Sequence, residues 1–319
     1  MASRETGGDQ MGAVFVHRPV MSREVIQLLE PVPTGTVVDA TVGGGGHARM
    51  LLEARADLRL LGIDRDPDAV VAAGETLAGF GDRVRIVHGG FEDLAEIVGQ
   101  ASEGDIVGIL FDLGVSSPQL DRAERGFSYW SDAPLDMRMD SAQELTAALV
   151  VNEYPEGELA HVLSRYGEER FAGRIAREIV AARPVHTTGE LVDAIKRGIP
   201  AAARRKGGHP ARRTFQALRM EVNRELQHLD AGLDESVHLL SANGRMVVLA
   251  YHSLEDRMVK QRFADWSGTA PVGPLPPEPP KLLTRLLTRK PLRPREGEVS
   301  NNPRAASARL RAVEKLDRP

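Results

Sequence analysis

Four short apolar runs recur through the first third of the chain, at 36–39, 60–64, 84–87 and 106–112. Each is rich in Val, Ile or Leu and bounded by polar residues, which reads as a buried strand. Helical signals fill the gaps, including a stretch from His47 to Ala54 and an earlier one from Val20 to Glu30 that runs into Pro31-Val32-Pro33. Strand and helix in alternation predict a parallel, doubly wound sheet. After Asp112 the pattern changes, and from Ser141 to Leu229 helical spacing dominates, as in Phe171, Ile175, Ile179 and Val180. Ser141-x-x-Glu144 and Thr187-x-x-Glu190 read as capping boxes, Pro155 as a helix start and Ala182-Arg183-Pro184 as a stop. Strand character returns at 246–250 and, more weakly, at 282–287 and 308–313, on either side of a proline-rich extended loop at 271–280. The chain is therefore expected to be α/β. Residues 1–135 and 212–319 are expected to form a discontinuous sheet domain, and 136–211 an inserted all-helical domain.

The first strand runs into Ala40-Thr41-Val42-Gly43-Gly44-Gly45-Gly46-His47. Four successive glycines give a backbone free to take positive φ and to approach a ligand closely. Asp64 closes the second run, 21 residues after Gly43. A nucleotide-binding α/β unit puts there the carboxylate that hydrogen-bonds a ribose. Two cofactors fit. Gly43-x-Gly45-x-x-Ala48 satisfies the dinucleotide fingerprint in form, which keeps an NAD-dependent oxidoreductase as an alternative. But Asp39 lies immediately before the turn, where a pyrophosphate would bring negative charge. S-adenosylmethionine carries a sulfonium and an ammonium group, which suit acidic strand ends by Coulomb attraction. Asp39, Asp64 and Asp112 are expected to converge on one crevice, and they favour the methyl donor.

Composition narrows the chemistry. The 319 residues include no cysteine, which removes disulfides, cysteine-ligated metal and a thiolate nucleophile. Methylation at carbon 5 of a pyrimidine generally needs that thiolate, so a methylated pyrimidine should carry its methyl on a heteroatom. No metal site is expected. No apolar run approaches a membrane span and the N-terminus lacks a signal-peptide core, so a cytoplasmic protein is expected. The net charge of −4 hides an asymmetry. Residues 196–224 hold nine Lys/Arg and one acid, and 281–319 hold eleven and four. Two basic segments on an acidic remainder suggest a polyanionic partner, although solvated helix faces would look the same.

Three further segments bear on chemistry. Asp112 opens Asp112-Leu113-Gly114-Val115-Ser116-Ser117-Pro118-Gln119, where many amino-group methyltransferases place an acid or amide followed by prolines; here the acid stands without the adjacent prolines and could bind the cofactor, the substrate amine or both, or simply start a loop. Asp136-Met137-Arg138-Met139-Asp140, if extended, would put its charges on one face and its methionines on the other. That could seat a base on sulfur and a phosphate on Arg138, or be a salt-bridged junction. Tyr251-His252-Ser253-Leu254-Glu255-Asp256 ends a strand and starts a helix through a Ser253-x-x-Asp256 cap, leaving Tyr251 and His252 at the active edge of the sheet.

Together these runs resemble the bacterial S-adenosylmethionine-dependent methyltransferases of small-subunit ribosomal RNA that act on the N4 amine of a cytidine. The resemblance rests on His17-x-Pro19-Val20-Met21, the segment from Asp39 to His47, Ile63-Asp64-Arg65-Asp66-Pro67, His88-Gly89-x-Phe91 and the segment from Asp112 to Asp121. It continues through Glu124-Arg125-Gly126-Phe127-Ser128, the segment from Pro134 to Asp140, the segment from Arg213 to Arg219, the segment from Tyr251 to Arg257 and Asn302-Pro303-Arg304. Gly44 and Ala306 depart from it, each standing where arginine is frequent or expected. The resemblance implies a class I (Rossmann-like) methyltransferase sheet with an inserted all-helical domain. It implies a cofactor site of Gly45, Gly46 and His47 on the methionine part, Asp64 on the ribose, Phe91 on the adenine, and Asp112 and Gln119 completing it. Asp112 and His252 are the candidates for final proton acceptor. Asp136, Arg138, Arg204, Arg205 and Arg304 are the candidates for substrate contact. The partner implied is small-subunit ribosomal RNA or the small ribosomal subunit, with a non-catalytic RNA-binding assembly factor as the other alternative. No membrane partner is expected, and the oligomeric state, a homodimer included, stays open.

Overall fold

The computed structural model describes residues 19–101, 104–116, 119, 122–204, 208–270 and 282–317. The loop expected at 271–280 lies outside them. Seven strands form one sheet in the order β3-β2-β1-β4-β5-β7-β6. They are β1 (Thr36–Asp39), β2 (Arg59–Asp64), β3 (Val84–His88), β4 (Ile106–Asp112), β5 (Leu240–Ala250), β6 (Thr284–Leu286) and β7 (Arg309–Lys315). The first five are parallel. The four runs expected to pair in parallel do so, and at the far edge β7 is antiparallel to both β5 and β6. β6 runs with β5, and the chain then returns between them, a reversal that pairs strands without a crossover over the sheet face.

Strand alternation sorts the core into two layers. Val37, Leu110, Val247 and Leu249 face one side, under α1 (Ser22–Leu29) and α2 (Gly46–Ala54). Val38, Ile109, Phe111 and Val248 face the other, under α4 (Leu94–Ala101), α11 (Glu225–Leu239) and α12 (Ser253–Trp266). Between β2 and β3, α3 (Pro67–Leu77) starts at Asp66, whose side chain accepts the Asp68 N–H.

The helical region comprises α5 (Ala147–Glu153), α6 (Glu156–Gly167), α7 (Ala172–Ala182), α8 (Thr188–Gly198), α9 (Ala201–Arg204) and α10 (Arg212–Val222). Its core gathers Leu159, Leu163, Ile175, Ile179, Leu191, Ile195, Phe215 and Leu218, with Phe127 and Leu135 joining from upstream. The capping box at Thr187 and Glu190 is present. That expected at Ser141 is not: α5 begins six residues later, and Thr146 caps it by accepting the Leu149 N–H. Asp140 instead uses its carboxylate to fold a tight turn at Ala142.

Two junctions tie the helical region to the sheet. At the break between α10 and α11, Arg224 takes φ 48°, and the buried Asn223 side chain clasps the backbone of the loop from residue 137. Its Oδ1 accepts the Met139 N–H at 2.7 Å, and its Nδ2 donates to the Met137 carbonyl at 2.8 Å. At the other junction Glu168, past the end of α6 at φ 46°, accepts hydrogen bonds from Ser253 and from Arg257 of α12.

Asn223→Ala would leave a buried N–H and a buried carbonyl unpaired, each costing about 1–3 kcal/mol. Urea unfolding should therefore show a loss of several kcal/mol, with Asn223→Asp intermediate because its carboxylate still accepts from Met139. A loss below ~1 kcal/mol would mean that water replaces the clasp.

Candidate active site

A cavity of about 580 Å³ opens at the carboxyl ends of β1, β2 and β4, where the strand order reverses direction. Ligands of open α/β sheets bind at such a point. The turn after β1 forms its floor. Gly43 and Gly45 take φ 51° and 79°, a region that L side chains rarely adopt. Gly46 and His47 line the cavity, whereas Gly45, the residue before α2, does not. A Cβ on Gly46 would stand 2.5 Å from Pro19, but one on Gly44 would meet nothing within 4 Å. Position 44 therefore has room for a larger side chain.

Asp64 holds this turn in place. Its carboxylate accepts the Gly43 N–H and the Asp66 N–H, both at 2.9 Å. Burial pushes its pKa up against the pull of those two N–H groups. Asp112, at the end of β4, donates its own N–H to Thr41 Oγ1 at 2.6 Å and accepts the Tyr251 hydroxyl at 2.6 Å. Burial, followed by the Asp112 charge, raises the Tyr251 pKa well above its usual value, so the phenol stays a donor. His47 Nδ1 lies 3.5 Å from Asp112, while its Nε2 faces the Val20 carbonyl at 2.9 Å and donates to it. Phe91 lines the wall, edge-on to Phe111 with centroids 5.5 Å apart. Gln119 donates to Asp66 at 2.8 Å and accepts the Ser116 N–H.

Asp39 does not reach the cavity. It is 2% exposed and accepts only the Thr41 N–H among the side-chain hydrogen bonds described. Burial, with the charges of Asp112 and Asp64 added, raises its carboxyl pKa to about 8 despite that bond. The expected convergence of three charges is thus a pair, Asp64 and Asp112, above a neutral third carboxyl.

His252 is also placed differently from expectation. It, not Ser253, caps α12, in a box with Glu255: its Nδ1 accepts the Glu255 N–H, and Glu255 accepts the His252 N–H. Its ring is absent from the cavity lining, which takes the neighbouring Tyr251 and Glu255 instead. Burial pushes the Glu255 carboxyl upward, but the His252 ring and then Arg219 outweigh it and hold it below the usual range. Arg219 forks onto Glu225 at 2.7 and 2.8 Å. Glu225, His252 and Glu255 bring ligand-type atoms within 4.8 Å of one another, but Glu225 is already engaged by Arg219 and Glu255 by the Tyr251 and His252 N–H groups.

The substrate candidates separate. Arg304 lines the cavity. Arg204, on α9, is exposed and away from the lining, and Arg205 lies outside the described residues. Arg138 is consumed locally: it pairs with Asp136 through Nε and Nη2, both at 2.9 Å, and donates to the carbonyls of Ser141 and Gln143. Met137 has φ 61° and is fully buried, so the segment is not extended and that sulfur meets no base. Met139 does line the cavity. Arg219, Glu225, Glu255 and Tyr129, which also line it, were not identified as site residues from the sequence. The first three lie in or near runs that carry the resemblance, but their role depends on the α10–α11 break.

The sequence matches the MraW methylase family over residues 14–316. It is 51% identical over 312 residues to "Ribosomal RNA small subunit methyltransferase H" of Symbiobacterium thermophilum, covering 95% of this chain and 97% of that one. The protein of the same name from Thermobifida fusca is 52% identical over 313 residues, with 95% and 94% covered. That from Mycolicibacterium gilvum is 53% identical over 310 residues, with 94% and 83% covered.

The buried Asp39 gives a pH signature. In the unfolded chain it ionises near its usual 3.8, but in the fold only near 8. The unfolded state therefore binds fewer protons between these values, and Asp39 removes stability as pH rises through that window. Asp39→Asn should be neutral near pH 4 and stabilising by more than ~1 kcal/mol at pH 8. Melting temperatures of both proteins across this range test it. A constant difference would show that Asp39 ionises normally in the fold.

Proposed function

The chain belongs to the MraW methylase family, and on that premise we propose that it transfers a methyl group from S-adenosylmethionine to the N4 amine of a cytidine in small-subunit ribosomal RNA. The observation that carries this reading is the pair of strand-end carboxylates, Asp64 and Asp112, around one glycine turn in a cavity shared with the helical region. The cavity fits a nucleoside with a cationic tail. Asp64 supplies acceptors for vicinal hydroxyls, Phe91 an aromatic face for a purine, and the Gly43–Gly46 backbone room for close approach. When bound, S-adenosylmethionine supplies an electrophilic methyl on a sulfonium.

The chain's own residues do the rest. A cytosine amine shares its lone pair with the ring and is a poor nucleophile. Asp112, fixed by the Tyr251 hydroxyl and the Thr41 hydroxyl, offers a carboxylate that accepts an N–H of that amine and keeps electron density on nitrogen. Rigid placement of this acceptor provides catalysis by positioning. Asp112 is also the better-placed candidate for proton acceptor, since the His252 ring is held in a helix cap. The target base has to leave its stack to enter the cavity. The helical region is the proposed substrate-recognition unit, with Arg304 the best placed of the candidate phosphate contacts.

Two measurements test the reading. Asp64→Ala should weaken S-adenosylmethionine binding at least about tenfold by calorimetry, since charge-assisted hydrogen bonds contribute about 1.5–3 kcal/mol each. Unchanged affinity in a folded variant would remove Asp64 from the site. Small-subunit RNA methylated by the purified enzyme should release N4-methylcytidine on digestion, and no tritium from carbon 5 of labelled cytidine. 5-Methylcytidine or solvent tritium would overturn the assigned position. The absence of any methyl transfer would leave an RNA-binding factor.

A further inference from the structure

A ladder of aromatic rings stands at the mouth of the cavity. Tyr129 lines the cavity, and its ring lies flat on His209, with centroids 4.5 Å apart and planes 9° from parallel. Below, Tyr129 meets Phe215 edge-on at 5.5 Å, and Phe215 is buried in the helical core. Above, Trp130 leans over the same imidazole at 4.7 Å. The ladder is anchored at one end and open at the other. Trp130 is 77% exposed, the highest value among the exposed large apolar side chains. Nothing in the fold or in the cofactor site requires an indole in that position.

The surroundings indicate what it meets. α10 starts three residues after His209, with Arg212 and Arg213 exposed in its first turn. Burial, with the charge of Lys196, holds the His209 pKa below its usual value, so the ring is a neutral stacking surface with cations beside it. An exposed indole tilted 54° to the half-buried His209 ring, with positive charge beside it, matches a single nucleic-acid strand, whose bases stack while its phosphates pair. Trp and Tyr also anchor protein interfaces, but here the rings lead into the cavity that would take the target base, which favours a nucleic-acid strand.

We propose that Trp130, backed by His209 and Tyr129, is a stacking site for an unpaired base adjacent to the target nucleotide, held there while the target occupies the cavity. This rests on the proposed function in taking the substrate to be RNA. Every base has a π face, so the site reads whether the neighbour is unstacked and not which base it is. It would select an irregular segment over a duplex.

The test is methyl transfer to unmethylated small ribosomal subunits. Base stacking on an aromatic side chain corresponds to about a 5- to 150-fold change in affinity. Trp130→Ala should raise KM for subunits within that range, with kcat and S-adenosylmethionine affinity near wild type. Trp130→Phe should stay close to wild type, and Trp130→Leu should behave like Trp130→Ala. A wild-type KM in Trp130→Ala would overturn the proposal. So would rescue by Leu as complete as that by Phe, which would indicate an apolar contact with a protein. If the wild-type enzyme transferred no methyl, the assigned reaction would fail. Filter retention of the same subunits by wild type, Trp130→Ala, Trp130→Phe and Trp130→Leu would then decide the stacking site by the same pattern.

Discussion

A buried amide clasp holds the helix break against the loop that forms one wall of the cavity. Asn223 satisfies two backbone groups around Met137–Met139, and its own carbonyl accepts from Arg65, which follows directly on Asp64. Arg65 continues to both oxygens of Glu92 and to His228. One hydrogen-bonded chain therefore connects a strand end, the residue after Phe91 and the first turns of α11. Buried polar groups of this kind must all be satisfied to be tolerated. Geometry that meets this condition also fixes where Met139, Arg219 and Glu225 stand in the wall.

The electrostatics of the wall follow a similar economy. Arg219 forks onto Glu225, and the buried Glu255 accepts the Tyr251 and His252 N–H groups, so its charge is not left unsatisfied, which would be costly. Asp39 escapes that cost by staying neutral. Of the four carboxylates that line the cavity, Glu225 and Glu255 lie in the wall beside Arg219, and Asp64 and Asp112 stand at the strand ends around the glycine turn.

Much of this was legible from the chain. Branched apolar runs located four strands, three of them ending in an acid, and with them Asp64 and Asp112, because the side-chain period and the strand-end position are local properties. Where neighbours in space decide, the reading failed. Asp39 looks identical to Asp64 in sequence, and only its depth in the core separates them. The cap of α12 was displaced by one residue because His252 can accept a backbone N–H as Ser253 could. Arg138 could have met a phosphate or a local acid, and the loop folds around it so that it donates to two carbonyls and pairs with Asp136. The helical core draws on Phe127 and Leu135 before residue 136 and on α10 after 211, contacts that periodicity alone does not reveal.

The two ties between the helical region and the sheet differ in kind. The Asn223 clasp is buried and neutral. The link from Glu168 to Ser253 and Arg257 is an exposed charge pair at the surface. Exposed pairs weaken with salt, whereas buried neutral bonds hardly respond. Added salt is therefore expected to loosen the Glu168 side before the Asn223 side. Hydrogen exchange along α12 and at the α10–α11 break would record this as two separate steps.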